Sequence, residues 1–444
     1  MSVTDELPEH LVLLGWNDLA GVTRLRGFPS RLAESSMKSG LGYAAAGQAI
    51  TPFGVVAPNR WGPMEEVRQV PDPNARLFVP ASHGFPQLEL FLVNSLTADG
   101  APWDCCPRSF CEAMLRKLQS ESGIALLTAW EHEFTLLGAA TAFSPAPGYT
   151  LEATQIAAPF LQDVVDALAA TGADLVTYDP EFGVGQYEVS CGPASGIAGA
   201  DRCVIAREAL REVARRRGLR ASFTPKPAPD APGNGAHLHF SLRLANGEPA
   251  SYHPEGPGYL SPAGAAFAAG VFRHLAALTV LAAPAPVSYL RLGSGHWSCG
   301  FASIGVQNRE AAMRVCPPVF SQPSRAAATH NIELRLPDGL CNPYLLIGAL
   351  AAAGLDGIRQ GLELPPLLSK DPAGLSAAQR VEYQITPLPD SLESALAALR
   401  ADALLTKAVP ATMIETFEAI KRSELAHCAG MSSAQICESY LRLY

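Results

Sequence analysis

The segment Trp130-Glu131-His132-Glu133-Phe134 sets two glutamates at i and i+2 inside an apolar run from Leu126 to Leu137. In a strand those positions point to one face, so the spacing predicts two carboxylates side by side in a buried element. Like charges that close repel, and desolvation adds to the cost. Water, arginines or a cation must offset it. Four other segments carry similar chemistry. Glu181 and Glu188 flank a glycine turn in EFGVGQYE. His237, His239 and Ser241 share a strand face in AHLHFS. Asn308-Arg309 and Arg314 bracket Glu310-Ala-Ala-Met, and Glu333 and Arg335 alternate in IELRL. Singly, each reads most simply as an ordinary ion pair or a satisfied core pair. Together they aim carboxylates, imidazoles and guanidiniums inward. Hard divalent cations take oxygen ligands, and Mg²⁺ sites commonly include substrate phosphates. An imidazole among the ligands also tolerates Mn²⁺, and arginines hold phosphate or carboxylate bidentately. This is equipment for phosphoryl transfer. The chain has no G-x-x-x-x-G-K-S/T loop, which excludes a P-loop enzyme.

The elements that position these groups belong to a chain of 444 residues, long enough for two or three domains. A hydrophobic content of 48% supplies an ample core, while 17% charged residues leave much surface to be covered by other elements or subunits. The net charge of −9 and a pI near 5.6 argue against nucleic acid and anionic membrane as partners. The N-terminus is acidic before a short apolar run, unlike a secretory signal. The apolar stretch 275–290 is under the usual span of about 20 residues and contains Pro284 and Pro286, so no membrane segment is expected. Ten scattered cysteines without a C-x-x-C read as reduced thiols of a cytoplasmic protein.

Residues 1–100 read as strand-rich, with candidate strands at 11–16, 48–57 and 88–93 and turns at Pro71-Asp72-Pro73 and Asp99-Gly100. Beyond about 107 helices and strands alternate. Residues 107–122 form one helix candidate. Leu161, Val164, Val165 and Leu168 form the face of another, stopped by Gly172. Asp201 is a candidate cap for a helix ending near Gly218. Asn342-Pro343 opens a helix apolar nearly all round. Asp390 and Glu393 have capping-box spacing, and the tail from about 409 is helical.

The order of these segments resembles the glutamine synthetase family over nearly the whole chain, from Trp16-Asn-Asp18 to Tyr444. WEHEF resembles the family's E-x-E-F, and GVGQYE its G-P-G-Q-x-E. AHLHFSL resembles H-x-H-x-S-L, and NRE with Arg314 resembles NR-x-x-x-x-R. IELRLPD with Asn342-Pro343-Tyr344 resembles I-E-x-R-x-P-D and N-P-Y. The resemblance implies an α+β fold: an N-terminal β-grasp domain (1–100) and a catalytic α/β domain (101–444) with a funnel of antiparallel strands. It implies active sites between neighbouring subunits of a ring, with a dodecamer as the expected assembly. It implies ATP as co-substrate and two Mg²⁺ or Mn²⁺ ions, one held by Glu133, Glu181 and Glu188 and the other by Glu131, His237 and Glu333. Arg291 matches the arginine on the glutamate α-carboxylate, Arg335 a second arginine near glutamate and phosphate, and Gly233 a backbone contact to the amino acid. His239 and Ser241 match nucleotide contacts, and Arg309 and Arg314 phosphate-binding arginines. The implied reaction phosphorylates the glutamate γ-carboxylate, and an amine then displaces phosphate.

Several family positions differ. Trp297 stands six residues after Arg291, where the family carries a loop glutamate that closes the site and takes a proton from ammonium. Residues 43–52 contain no acid in place of the ammonium-binding aspartate. Pro232 replaces a glutamate-contacting asparagine, with Asn234 close by, while Asn331 and Ala328 replace an arginine and a lysine. An alkylammonium, with a pKa near about 10.4, arrives charged and needs acids. Fewer acids and an added indole suit an apolar or aromatic amine instead. The expected activity is therefore ATP-dependent ligation of glutamate to a small organic amine, with Trp297 at the acceptor. The alternatives are a true glutamine synthetase, a non-catalytic paralogue, and an acid substrate other than glutamate.

Overall fold

The computed structural model describes residues 9–138, 146–295 and 297–444. Residues 1–8, where the acidic N-terminal stretch begins, and His296 beside Trp297 lie outside the described residues. Strands β1 (Leu11–Asn17), β2 (Thr23–Pro29), β3 (Leu41–Ala44), β4 (Glu66–Val79) and β5 (Leu88–Leu96) form a sheet in the order β2-β1-β5-β4-β3. Its central pair, β1 with β5, is parallel and the other pairs are antiparallel. The expected strands 11–16 and 88–93 are β1 and β5.

The expected strand 48–57 does not form. A 3-10 turn spans Ala45–Ala49, and Gly54 turns the chain at a φ of +79°. Only an isolated bridge joins Ile50 to Val56. Pro52 and Gly54 break the run, so the segment folds back as a loop. Pro71-Asp72-Pro73 is not a turn between strands either. It lies inside β4, whose register with β5 shifts between Pro71 and Arg76. Prolines cannot donate to the ladder and are absorbed at such an irregularity.

The second sheet holds nine strands. Along its main path β13 (Ile304–Val306), β14 (Met313–Cys316), β15 (Asn331–Leu334), β11 (Ala236–Leu244), β6 (Ile124–Leu137), β8 (Gln186–Cys191) and β7 (Leu175–Pro180) lie side by side. The short β9 (Ala194–Ser195) and β10 (Arg220–Ser222) also pair with β6, and β12 (Phe301–Ala302) pairs with β16 (Thr386–Pro387). Every pair is antiparallel except β13 with β14. Trp130, His132 and Phe134 of β6 are buried on one face while Glu131 and Glu133 stay half-buried on the other. That alternation is the period of a strand with one covered face. Helices Pro107–Ser122, Leu151–Thr171 and Ile197–Arg216 pack beneath it, and Pro343–Gln360 is buried nearly all round. Asn342 caps that helix through Leu345 N–H (2.9 Å), and Gly172 ends Leu151–Thr171 in a left-handed turn.

Asp201 does not cap its helix. Gly196 precedes Ile197–Arg216, and Asp201 sits one turn inside, buried. Its carboxylate accepts from Arg108 Nε (2.9 Å), Arg108 Nη2 (2.8 Å) and the Tyr344 hydroxyl (2.7 Å). Arg108 also donates to Asp72 of β4 (2.7 Å) and Asn94 of β5 (2.9 Å). A buried guanidinium needs this many partners, so tertiary pairing outcompetes the local cap. Near residue 390 the cap is Ser391, boxed with Ser394, in place of Asp390 and Glu393. Asn342 Nδ2 donates to the carbonyls of Asn17 (3.1 Å) and Asp18 (2.9 Å), tying the start of the buried helix to the end of β1. Asp201→Ala leaves Arg108 short of its main counter-charge and Tyr344 without an acceptor. It should cost about 3 kcal/mol or more, read as a lowered midpoint of urea unfolding.

Candidate active site

Strand register lines up the candidate residues. Glu131 of β6 stands opposite His237 of β11, and Glu133 opposite Glu188 of β8. His239 of β11 faces Glu333 of β15, which faces Arg314 of β14. On the far side Asp179 of β7 faces Glu188. His132, between the two β6 glutamates, points the other way. Its ring lies parallel to Trp130 with centroids 6.1 Å apart, and burial, then Arg207 and Arg211, push its pKa down to about 3. It is neutral filling of the core, not part of the site.

His237 Nδ1 lies 3.4 Å from both Glu131 Oε2 and Glu333 Oε1, and its Nε2 is 3.8 Å from Glu133 Oε1. Glu333 is fully buried and accepts from Arg314 Nη1 at 2.8 Å and from Arg335 Nη1. Gly235 N–H donates to Glu133 Oε2 (2.8 Å), and the Tyr149 hydroxyl to Glu181 Oε1 (2.6 Å). Asn331 turns its amide nitrogen to Thr329 O (3.1 Å) and its oxygen to His239 Nδ1 (2.8 Å). His239 Nε2 is then aimed at Glu131 Oε1, 3.0 Å away but off the line a hydrogen bond needs.

The electrostatics are those of a cation site. Glu188 is pushed up to about 9 by burial, then by Glu131, Glu133, Glu181 and Asp179. Burial also raises Glu181, with Glu133 and Asp179 adding to the shift against the Tyr149 hydrogen bond. Burial opposes ionisation of Glu131 too, but His237 and His239 hold it well below the usual range. Ligand atoms of Glu131, Glu188 and His237, and of Glu131, His239 and Glu333, lie within 4.8 Å of one another. Acids crowded enough to retain a proton at neutral pH, with a buried imidazole nitrogen lacking an aligned partner, fit hard divalent cations. Glu133 and Glu181 fall outside these two compact sets, and His239 falls inside one.

Above the acids opens a cleft of about 850 Å³, lined among others by Glu131, Glu133, Glu181, Glu188, Gly233, His237, Arg291, Trp297, Arg309, Arg314 and Arg335. Arg291, Arg314 and Arg335 each keep a buried Nε without a partner, spare donor capacity suited to anions. Arg291 is held by the carbonyls of Leu336 and Pro337. A Cβ at residue 233 would lie 2.7 Å from Arg291 Cγ, and one at 235 would lie 2.7 Å from His237 Nε2. A side chain at either position would force Arg291 or His237 to shift. Ser241 shares the face of His237 and His239 but sits opposite Leu127, farther along β11 and outside the cleft lining.

Asn234 does not replace the asparagine missing at Pro232. It is fully buried, donates to Thr135 Oγ1 (3.1 Å) and Thr224 O (2.9 Å), and accepts from Gln186 (2.9 Å). Trp297 is exposed at the cleft with a left-handed φ of 54°. Its carbonyl accepts from Arg335 Nη2 (2.8 Å), and its N–H donates to Glu310 Oε1 (3.1 Å). Tyr149, Asp179, Phe182 and Glu310 are site neighbours that sequence reasoning missed. Asp179 carried a signal, since it stands two residues before Glu181.

Residues 104–440 match the glutamine synthetase catalytic domain, and residues 4–103 the glutamine synthetase N-terminal domain. The chain is 31% identical over 441 residues to the gamma-glutamylpolyamine synthetase GlnA3 of Streptomyces coelicolor, covering 97% of this chain and 93% of that protein. It superposes on a crystal structure described as a novel glutamine synthase homolog with a TM-score of 0.90 at 40% identity, covering 99% of each chain. A GmaS/ADP complex aligns with a TM-score of 0.82 at 27% identity, covering 97% of this chain and 96% of that one. The chain belongs to the glutamine synthetase family. It has that family's α+β fold and is an ATP-dependent carboxylate–amine ligase that uses Mg²⁺ or Mn²⁺.

With Glu188 pushed up to about 9 by burial and its acidic neighbours, a cation held by this cluster would compete with its proton, so Mg²⁺ affinity should rise with pH. At pH 7 calorimetry in buffers of different protonation enthalpy should register about one proton released per site. Gly235→Ala, by displacing His237, should weaken Mn²⁺ binding about tenfold or more, measured by titration.

Proposed function

We propose that this ligase joins glutamate to a small organic amine through γ-glutamyl phosphate, releasing ADP and phosphate. The carrying observation is Trp297, an exposed indole at the cleft where the family reading expects an acid. In this reading Glu133, Glu181 and Glu188 hold one divalent cation, and Glu131, His237 and Glu333 hold the other. When bound, the cations would neutralise the charge that develops on the phosphates. Arg291 pairs with the glutamate α-carboxylate, beside the Gly233 backbone and His237. His239 and Ser241 contact the nucleotide. Arg309, Arg314 and Arg335 hold the phosphates and orient the γ-phosphoryl group for in-line attack. A γ-carboxylate oxygen attacks the γ-phosphorus, and the bond to ADP breaks. The amine nitrogen then attacks the acyl carbon, loses a proton, and phosphate leaves. Trp297 shapes the acceptor side by excluding water and offering an apolar wall.

The same reading divides the chain near residue 100 into a β-grasp domain, supported by the parallel β1–β5 pair with antiparallel flanks, and a catalytic domain. It has sites completed between subunits of a ring, with exposed Val55, Val56 and Met64 available to a neighbouring copy. It places the protein in the cytoplasm, in keeping with ten free cysteines.

ADP release with Mg²⁺, ATP and glutamate against ammonium, alkylamines, diamines, ethanolamine and anilines tests the reading. Strong turnover with an organic amine and little with ammonium is the expected result. Best turnover with ammonium overturns it in favour of a glutamine synthetase. Trp297→Glu restores an acid beside the acceptor and should shift the ratio of ammonium to organic-amine kcat/KM by about tenfold toward ammonium, equivalent to roughly 1.4 kcal/mol.

A further inference from the structure

Three aromatic side chains edge the cleft beside Glu181. The rings of Tyr149 and Phe182 meet edge to face with centroids 5.2 Å apart. Phe182 meets Trp297 at 6.3 Å with the planes 83° apart. Phe182 is 64% exposed and Trp297 55%, so the two form a right-angled corner still open to solvent. Exposed aromatic surface is costly unless something covers it. Glu181, the neighbour of Phe182 in sequence, accepts from the Tyr149 hydroxyl (2.6 Å) and retains acceptor capacity for a further N–H.

We propose that Phe182 is a specificity-determining residue of the acceptor site, and that the acceptor is a primary monoamine with a short alkyl or aryl body. This rests on the γ-glutamyl-amine reading above. The amino group lies toward Glu181. The carbon body fills the corner between Phe182 and Trp297, where ring faces attract polarised groups next to a cationic nitrogen and stack on flat ones. A second ammonium gains only cation–π attraction there and gives up its hydration, whereas an alkyl or aryl body fills the corner without that loss. The other acids on this side, Asp179 and Glu188, face each other across β7 and β8 within the carboxylate cluster. Asp230 lines the same cleft from the segment before Gly233, which makes a diamine the competing outcome.

The full chain is assayed with Mg²⁺, ATP and glutamate. kcat/KM is measured for ammonium, propylamine, benzylamine, aniline and 1,4-diaminobutane in the unchanged protein, Phe182→Ala and Phe182→Tyr. Phe182→Ala should lower the ratio of best monoamine to ammonium by about tenfold, through the amine KM more than kcat. Phe182→Tyr, which keeps the ring, should hold that ratio within about twofold. Because Phe182 is exposed, folding is not at stake, and circular dichroism of both variants checks it. An unchanged ratio in Phe182→Ala, or 1,4-diaminobutane surpassing every monoamine, overturns this inference and leaves the ligase reading standing. An unchanged protein that uses ammonium alone overturns both.

Discussion

Mutual repulsion among carboxylates governs this molecule. Glu131, Glu133, Glu188 and Asp179 converge across β6, β7 and β8, Glu181 joins them from the turn between β7 and β8, and Glu333 adds a fully buried acid from β15. Left to themselves such groups take up protons, and Glu188 is pushed up to about 9 by burial and then by these neighbours. Antiparallel pairing keeps them together because register, once set by the apolar face, determines which residues stand opposite. Trp130, His132 and Phe134 anchor that register from below. The core on one face thus imposes the charge cluster on the other, a cluster that bound divalent cations would relieve.

The supports of the sheet carry their own constraint. Arg108 draws Asp72, Asn94 and Asp201 to one buried point, joining β4 and β5 to the helix Ile197–Arg216. Asn342 performs two tasks, capping its helix and binding the Asn17 and Asp18 carbonyls. The N-terminal sheet is therefore held to the helices beneath the second sheet by directional bonds that tolerate little displacement. Arg335 has a similar double role at the cleft, reaching both Glu333 and the Trp297 carbonyl. The Trp297 loop and the buried Glu333 consequently share one guanidinium.

Much of the site was legible because its chemistry is written at strand spacing. E-x-E, H-x-H-x-S and E-x-R each announce a common face, and the structure brings Glu131, His237, His239, Glu333 and Arg335 within a few contacts of one another. Legibility failed where a residue answers to partners far along the chain. Asp201 was read as a cap and is the acceptor for Arg108, 93 residues away. Residues 48–57 had a strand's composition and fold back as a loop. Asn234 was close to Pro232 in sequence and proved fully committed to Thr135, Thr224 and Gln186.

By itself the sequence determined the family, the order of the motif-bearing segments and the face on which each reactive side chain lies. Those follow from local periodicity, which every short segment carries within itself. Tertiary structure alone decided which acids stand opposite one another, and that His239 turns toward Glu131 because Asn331 holds its other nitrogen. It also decided that Phe182 meets Trp297, 115 positions farther on, at the edge of the cleft. Such pairings depend on the register and packing of separate strands and loops, and no single segment encodes them.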